Sequence, residues 1–205
     1  IMEKRNGPFD WSEIKDWIEE LCEGLSYAHS QGVVHRDIKP DNIMINDGGS
    51  VKILDFGIAK LEDGSEGGRT KTGMGMGTVA YMAPEQARGE VHNIDARTDV
   101  YTLGAILYEL LTGRAPYVGS SAMHVLQKVV NGPPESLRTQ SSSQSSLGHK
   151  DIFRFDFLEE AGSSPSGPPL PEELVEACEK AMNRNLEERY QSAEELAKVI
   201  SDWLE

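Results

Sequence analysis

Basic residues are scarce in this chain of 205: 20 Lys and Arg stand against 34 Asp and Glu, giving a formal net charge of -14 and a pI near 4.8. Nucleic acid and anionic membrane both recruit clustered Lys and Arg, so neither is an expected partner. The acidity also suits basic peptides, although a solvated acidic surface is the simpler account. Cysteine is nearly absent. Cys22 and Cys178 are the two, each on the apolar stripe of an expected helix, which excludes a disulfide framework and a thiolate metal cage. They read as core thiols of a reducing compartment. No run approaches the roughly 18 apolar residues of a membrane span, and the start does not resemble a signal peptide. The expected location is cytoplasmic, with any membrane anchor lying outside these residues. An apolar content of 38% is enough for a buried core.

Periodicity points to a mainly α chain with a small β-hairpin region. Ile14, Ile18, Leu21, Cys22, Leu25 and Ala28 recur at helical spacing from about Trp11 to Ser30. Asp10 with Glu13 makes a capping box ahead of them, and Gly32 marks the end. Short strands are expected at Val33-Val34, Ile43 to Ile45 and Val51 to Leu54, the last two joined by Asn46-Asp47-Gly48-Gly49, a hairpin turn. From Thr98 to Leu111 almost every residue is apolar or small, the pattern of a helix buried on all sides, and Gly113 with Pro116 stops it. Further helices are expected near Ser121 to Val130 and Glu172 to Met182, and a last one is capped by Ser192 with Glu195.

Around the hairpin lie several short polar motifs. His35-Arg36-Asp37, Lys39 and Asn42 precede the first strand, and Asp55-Phe56-Gly57 follows the second. Gly77-Thr78 and Ala83-Pro84-Glu85 come next in order. Each motif alone is weak, but the His35 to Asn42 group, Asp55-Phe56-Gly57 and Ala83-Pro84-Glu85 in this order and spacing are specific. Together they resemble the protein kinase family, over almost the whole chain. Tyr81 to Gln86 and Arg189 to Ala193 are similar to the bacterial eukaryotic-like serine/threonine kinases.

The resemblance implies a role for each motif residue. Asp37 would orient the acceptor hydroxyl or accept its proton, and Lys39, which favours Ser or Thr as acceptor, would meet the transferring phosphate. Asn42 and Asp55 would hold Mg²⁺, with ATP as phosphoryl donor. Met44 would lie under the adenine ring, although a strand Met is otherwise ordinary core. Gly77 and Thr78 would form the peptide-substrate platform. His35 and Phe56 would belong to an apolar stack, Asp99 would anchor the catalytic-loop backbone, and Glu85 with Arg189 would form a buried ion pair. Arg36 implies control by phosphate on the activation segment, with Thr70 and Thr72 as the acceptors, eight and six residues before Thr78.

Only 34 residues precede His35, and they hold no Gly-rich phosphate loop and no strand Lys in a V-A-I-K context. Residues 1–205 are therefore expected to form the large lobe of a kinase, with 55–85 as activation segment and 132–171 as a Ser/Pro/Gly-rich insertion. Within that insertion Phe153, Phe155 and Phe157 alternate with Arg154 and Asp156, the period of a strand with one apolar face. Packing on the lobe is the simpler reading, and docking of a partner the sharper one. Expected partners are proteins with Ser or Thr acceptors, the missing small lobe, and a second copy through the activation segment. The alternatives are a pseudokinase or scaffold lobe, and a kinase of small molecules. The Gly73 to Gly77 run lacks the flanking strand and helix of a phosphate loop and reads as flexible backbone.

Overall fold

The computed structural model describes residues 11–55, 76–138 and 170–203. Seven helices and one two-stranded sheet occupy them: α1 (Trp11–Ser30), β1 (Ile43–Ile45), β2 (Val51–Ile53), α2 (Met76–Val79), α3 (Pro84–Ala87), α4 (Ala96–Thr112), α5 (Ala122–Asn131), α6 (Glu172–Ala181) and α7 (Ala193–Trp203). The mainly α class with a hairpin is borne out. None of the described helices is long and apolar enough to cross a membrane.

The core is organised around α4. Asp95 caps its start by accepting from the Arg97 amide at 2.8 Å, so the helix begins two residues before Thr98. Gly113 ends it in the left-handed conformation, φ 70°, where its N–H reaches the Glu109 carbonyl. Residues Thr98 to Glu109 are all buried, as expected of a helix with neighbours on every side. α1 packs against α4 and α7, and α6 lies across α4 and α7. At Gly104 the approach is so close that a Cβ would stand 2.8 Å from both Ala181 Cβ and Met182 Cγ. Cys178 Sγ donates to the Gly104 carbonyl there, and both cysteines are buried with thiols pushed up by desolvation, inert core groups as expected.

The expected strand at Val33-Val34 does not form. Instead the chain closes α1 with a Schellman turn: the Gly32 amide reaches His29 O at 2.9 Å and the Val33 amide reaches Ala28 O at 3.0 Å, with Gly32 at φ 75°. That Val33 donor is spent on the helix end and is lost to any ladder. The hairpin does form, antiparallel, with Ile43 opposite Ile53 and Ile45 opposite Val51. Asn46 organises its turn by accepting the Gly48 and Ser50 amides on Oδ1, and Gly49 supplies φ 86°. Glu20 of α1 accepts the Val51 amide and fixes the hairpin to the helix. Ser192 Oγ caps α7 through the Glu195 amide, and Glu195 reaches back to the Gln191 amide. Asp10, Phe56, Thr70, Thr72 and most of the 132–171 insertion, its three Phe included, lie outside the described residues.

Candidate active site

The loop from His35 to Asn42 leaves the end of α1 and closes in a 3-10 turn at Pro40–Asn42 before entering β1. Its backbone is held by α4. Asp99, fully buried, accepts the His35 amide on Oδ2 at 2.8 Å and the Arg36 amide on Oδ1 at 2.9 Å. The ring of His29, in the last turn of α1, supplies a third contact to Oδ2 at 2.7 Å. These bonds hold Arg36 at φ 67°, a left-handed conformation that disfavours a residue with a Cβ by about 1–2 kcal/mol. A charged acceptor taking several buried donors is strong enough to offset that cost.

His35 is buried beneath the loop. Its Nδ1 accepts the Asp37 amide at 3.3 Å and its Nε2 faces the Leu54 carbonyl at 3.3 Å, an arrangement that puts the ring proton on Nε2. The Leu54 amide in turn donates to the Asn42 carbonyl at 2.8 Å. That bond keeps the hairpin's register, Asn42 standing opposite Leu54, and carries the pairing one residue past Ile43 and Ile53. The next residue, Asp55, adopts φ 52° and is exposed at the loop's edge. Two left-handed residues, Arg36 and Asp55, thus lie on the two segments that His35 and Asn42 tie together.

Asn42 donates from Nδ2 to the Asp37 carbonyl at 2.8 Å, which fixes which end of its amide is the nitrogen and leaves Oδ1 as an oxygen donor. Lys39 spans two parts of the chain: Nζ lies 3.1 Å from Thr78 Oγ1 in α2 and 3.5 Å from Asp37 Oδ2. Thr78 and Gly77 are half-buried in the short helix α2, an element with no sequence signal. Met44 is exposed, opposite Lys52 in the hairpin, and takes no part in the core of the described residues. Among the described residues no three His, Cys, Asp or Glu side chains cluster to hold a metal. The available oxygens are those of a carboxylate and an amide at the loop edge, the hard donors Mg²⁺ prefers, and too few to strip its waters unaided.

Farther from the loop, Arg189 is buried against Glu85, with Nη1 on Oε1 and Nη2 on Oε2, each at 2.8 Å. Thr98 Oγ1 also donates to Glu85 at 2.9 Å, and the guanidinium stacks over Tyr101. Arg36 has its Nε buried with no hydrogen-bond partner among the described residues. Three contacting residues escaped sequence reading: His29 behind Asp99, Glu109, which accepts from the Tyr81 hydroxyl at 2.6 Å, and Gln86, which donates to the Arg36 carbonyl at 2.8 Å. Only accounting for every acceptor, on Asp99 and on the loop backbone, would have found the first and third.

With this geometry in place, the family is plain. Residues 1–201 match the protein kinase domain, and the chain belongs to that family. Bacterial kinases are among its relatives. Over 203 residues, 98% of the chain, it is 35% identical to the probable serine/threonine-protein kinase PknB of Bifidobacterium longum. Over 191 residues, 93% of the chain, it is 36% identical to the serine/threonine-protein kinase PknB of Mycolicibacterium smegmatis. The Mycobacterium tuberculosis kinase of that name is 43% identical over 128 residues, 62% of the chain. The resemblance to bacterial eukaryotic-like serine/threonine kinases is therefore borne out. The matched stretches span 25%, 26% and 20% of those relatives' own lengths.

Proposed function

We propose that this lobe carries the acceptor side of a transfer of the ATP γ-phosphate to Ser and Thr hydroxyls of proteins. The observation that carries the reading is Lys39, whose ammonium lies between Asp37 and Thr78 and so links the catalytic loop to the expected peptide platform. Asp37 would accept or orient the proton of the incoming hydroxyl. Lys39 would give countercharge where the phosphoryl group passes. Asn42 Oδ1 and the Asp55 carboxylate would hold Mg²⁺, which neutralises charge on the phosphate oxygens. The exposed Met44 offers an apolar surface to the adenine ring. Gly77 and Thr78 would seat the substrate backbone, and Arg36 Nε, without a partner among the described residues, suits a pocket for phosphate on Thr70 or Thr72.

Asp37, Lys39, Asn42 and Asp55 are all present, which favours catalysis over a scaffold or pseudokinase lobe. A small lobe would supply the remaining half of the nucleotide site. Alone, the chain should neither bind Mg·ATP tightly nor phosphorylate peptides, and its crevice face should favour association. Two assays test this. Joined to a small lobe, the chain should move labelled phosphate from ATP to Ser and Thr peptides, not to sugars or antibiotics; by itself it should give no micromolar Mg·ATP binding by calorimetry. Phosphorylation of small molecules alone would overturn the proposal.

A further inference from the structure

Arg36 is held at both ends of its backbone, and the two grips come from different elements. Its N–H is fixed by Asp99 of α4, as above. Its carbonyl accepts from Gln86 Nε2 of α3 at 2.8 Å, and Gln86 Oε1 accepts the Ala83 amide at 3.2 Å. One neighbour is a donor and the other an acceptor, so a single orientation of the amide satisfies both. The carbonyl that Gln86 holds belongs to the peptide bond leading into Asp37, and Arg36 is the left-handed residue of the loop. α3 closes the segment that also bears Thr78.

From this we infer that Gln86 is a positioning residue for phosphotransfer: it fixes the Arg36–Asp37 peptide to the end of the activation segment and so sets the direction of the Asp37 carboxylate. A shift of α3 would be passed to the catalytic loop through this one side chain. The inference rests on the reading of Asp37 as the residue that orients the hydroxyl. Hydrophobic residues at position 86 would keep the volume and lose both bonds. Glutamate would keep the acceptor for Ala83, and with it the start of α3, but would set an oxygen against the Arg36 carbonyl.

The experiment is steady-state kinetics on a protein joining this chain to a small lobe, with Gln86→Leu, Gln86→Glu, Asp37→Asn and the two double variants. Gln86→Leu and Gln86→Glu should each lower kcat about tenfold, with KM for ATP and peptide within about twofold of wild type. In the Asp37→Asn background neither should lower the residual rate further, because Gln86 acts through Asp37. If Gln86→Leu does not fold, Gln86→Glu decides. Wild-type kcat in the folded Gln86 variants, a rise in peptide KM with kcat unchanged, or the full loss repeated without Asp37 would each overturn the inference. Near wild-type turnover by Asp37→Asn would instead strike the underlying reading of Asp37.

Discussion

Glu85 and Arg189 face each other as a two-pronged pair, 2.8 Å at each prong, although 104 residues separate them in sequence. Both are almost wholly buried. The pair ties α3 to the approach to α7. Arg189 further donates to the carbonyls of Asn183 and Arg97, so its removal strands several groups at once. Arg189→Met should lower stability by about 3–5 kcal/mol, because it leaves the Glu85 charge buried without its partner. Urea unfolding measures this. Replacing both residues with apolar ones should cost less than the single change, and a larger loss in the double variant would contradict the account.

Asp99 serves three donors with two oxygens, and the left-handed Arg36 depends on it. Asp99→Asn would turn an NH₂ group toward an N–H and weaken the grip on the loop. A loss of about 1.5–3 kcal/mol is expected, the range for hydrogen bonds to a charged group. Amide exchange at His35 and Arg36 should rise with it. Unchanged exchange at both positions would show that the loop holds its shape without this anchor.

Burial raises the Glu109 carboxyl above its usual range; the Tyr81 hydroxyl lowers it in part, and the charge of Asp41 adds to the rise. A carboxyl raised by folding binds its proton more tightly in the folded chain than in the unfolded one. Its contribution to stability is complete below the unfolded value and is lost as pH climbs through the folded one. Glu109→Gln removes the titration and keeps an oxygen for Tyr81. Its melting temperature relative to wild type should therefore improve as pH climbs above the ordinary glutamate value of about 4.3. A difference that stays flat with pH would count against a strained carboxylate.

Thr70 and Thr72 are expected to be phosphorylated in active enzyme, with Arg36 as part of the pocket that receives the charge. Replacing both with Ala should leave low activity in a protein joined to a small lobe. Phosphopeptide mapping of active material checks the first half, and finding both threonines unmodified would remove the hypothesis.

The helical skeleton was readable because its pattern is strong. α1 shows a clean apolar stripe with its bounds as expected, and Asn46 to Gly49 announces the hairpin turn. The catalytic-loop motif, the Asp99 anchor and the Glu85–Arg189 pair came through resemblance, since no local pattern tells that residues 64 or 104 positions apart will meet. Val33-Val34 misled because two β-branched residues look like a strand, while the Gly32 turn had already spent the amide that a ladder needs. α2 and α3 are four residues each, too short for any periodicity, and are held by tertiary contacts with α5. His29 and Gln86 are ordinary polar residues on helices; only the acceptors they meet give them meaning.

The central claim is that Asp37 orients the acceptor hydroxyl, and the most direct measurement is peptide phosphorylation by Asp37→Asn in a protein joining this chain to a small lobe. Turnover should fall by about 10² to 10⁴, the range for losing a positioned acid-base group, while ATP affinity hardly changes. Turnover of a Ser or Thr peptide close to the wild-type rate would contradict the assignment.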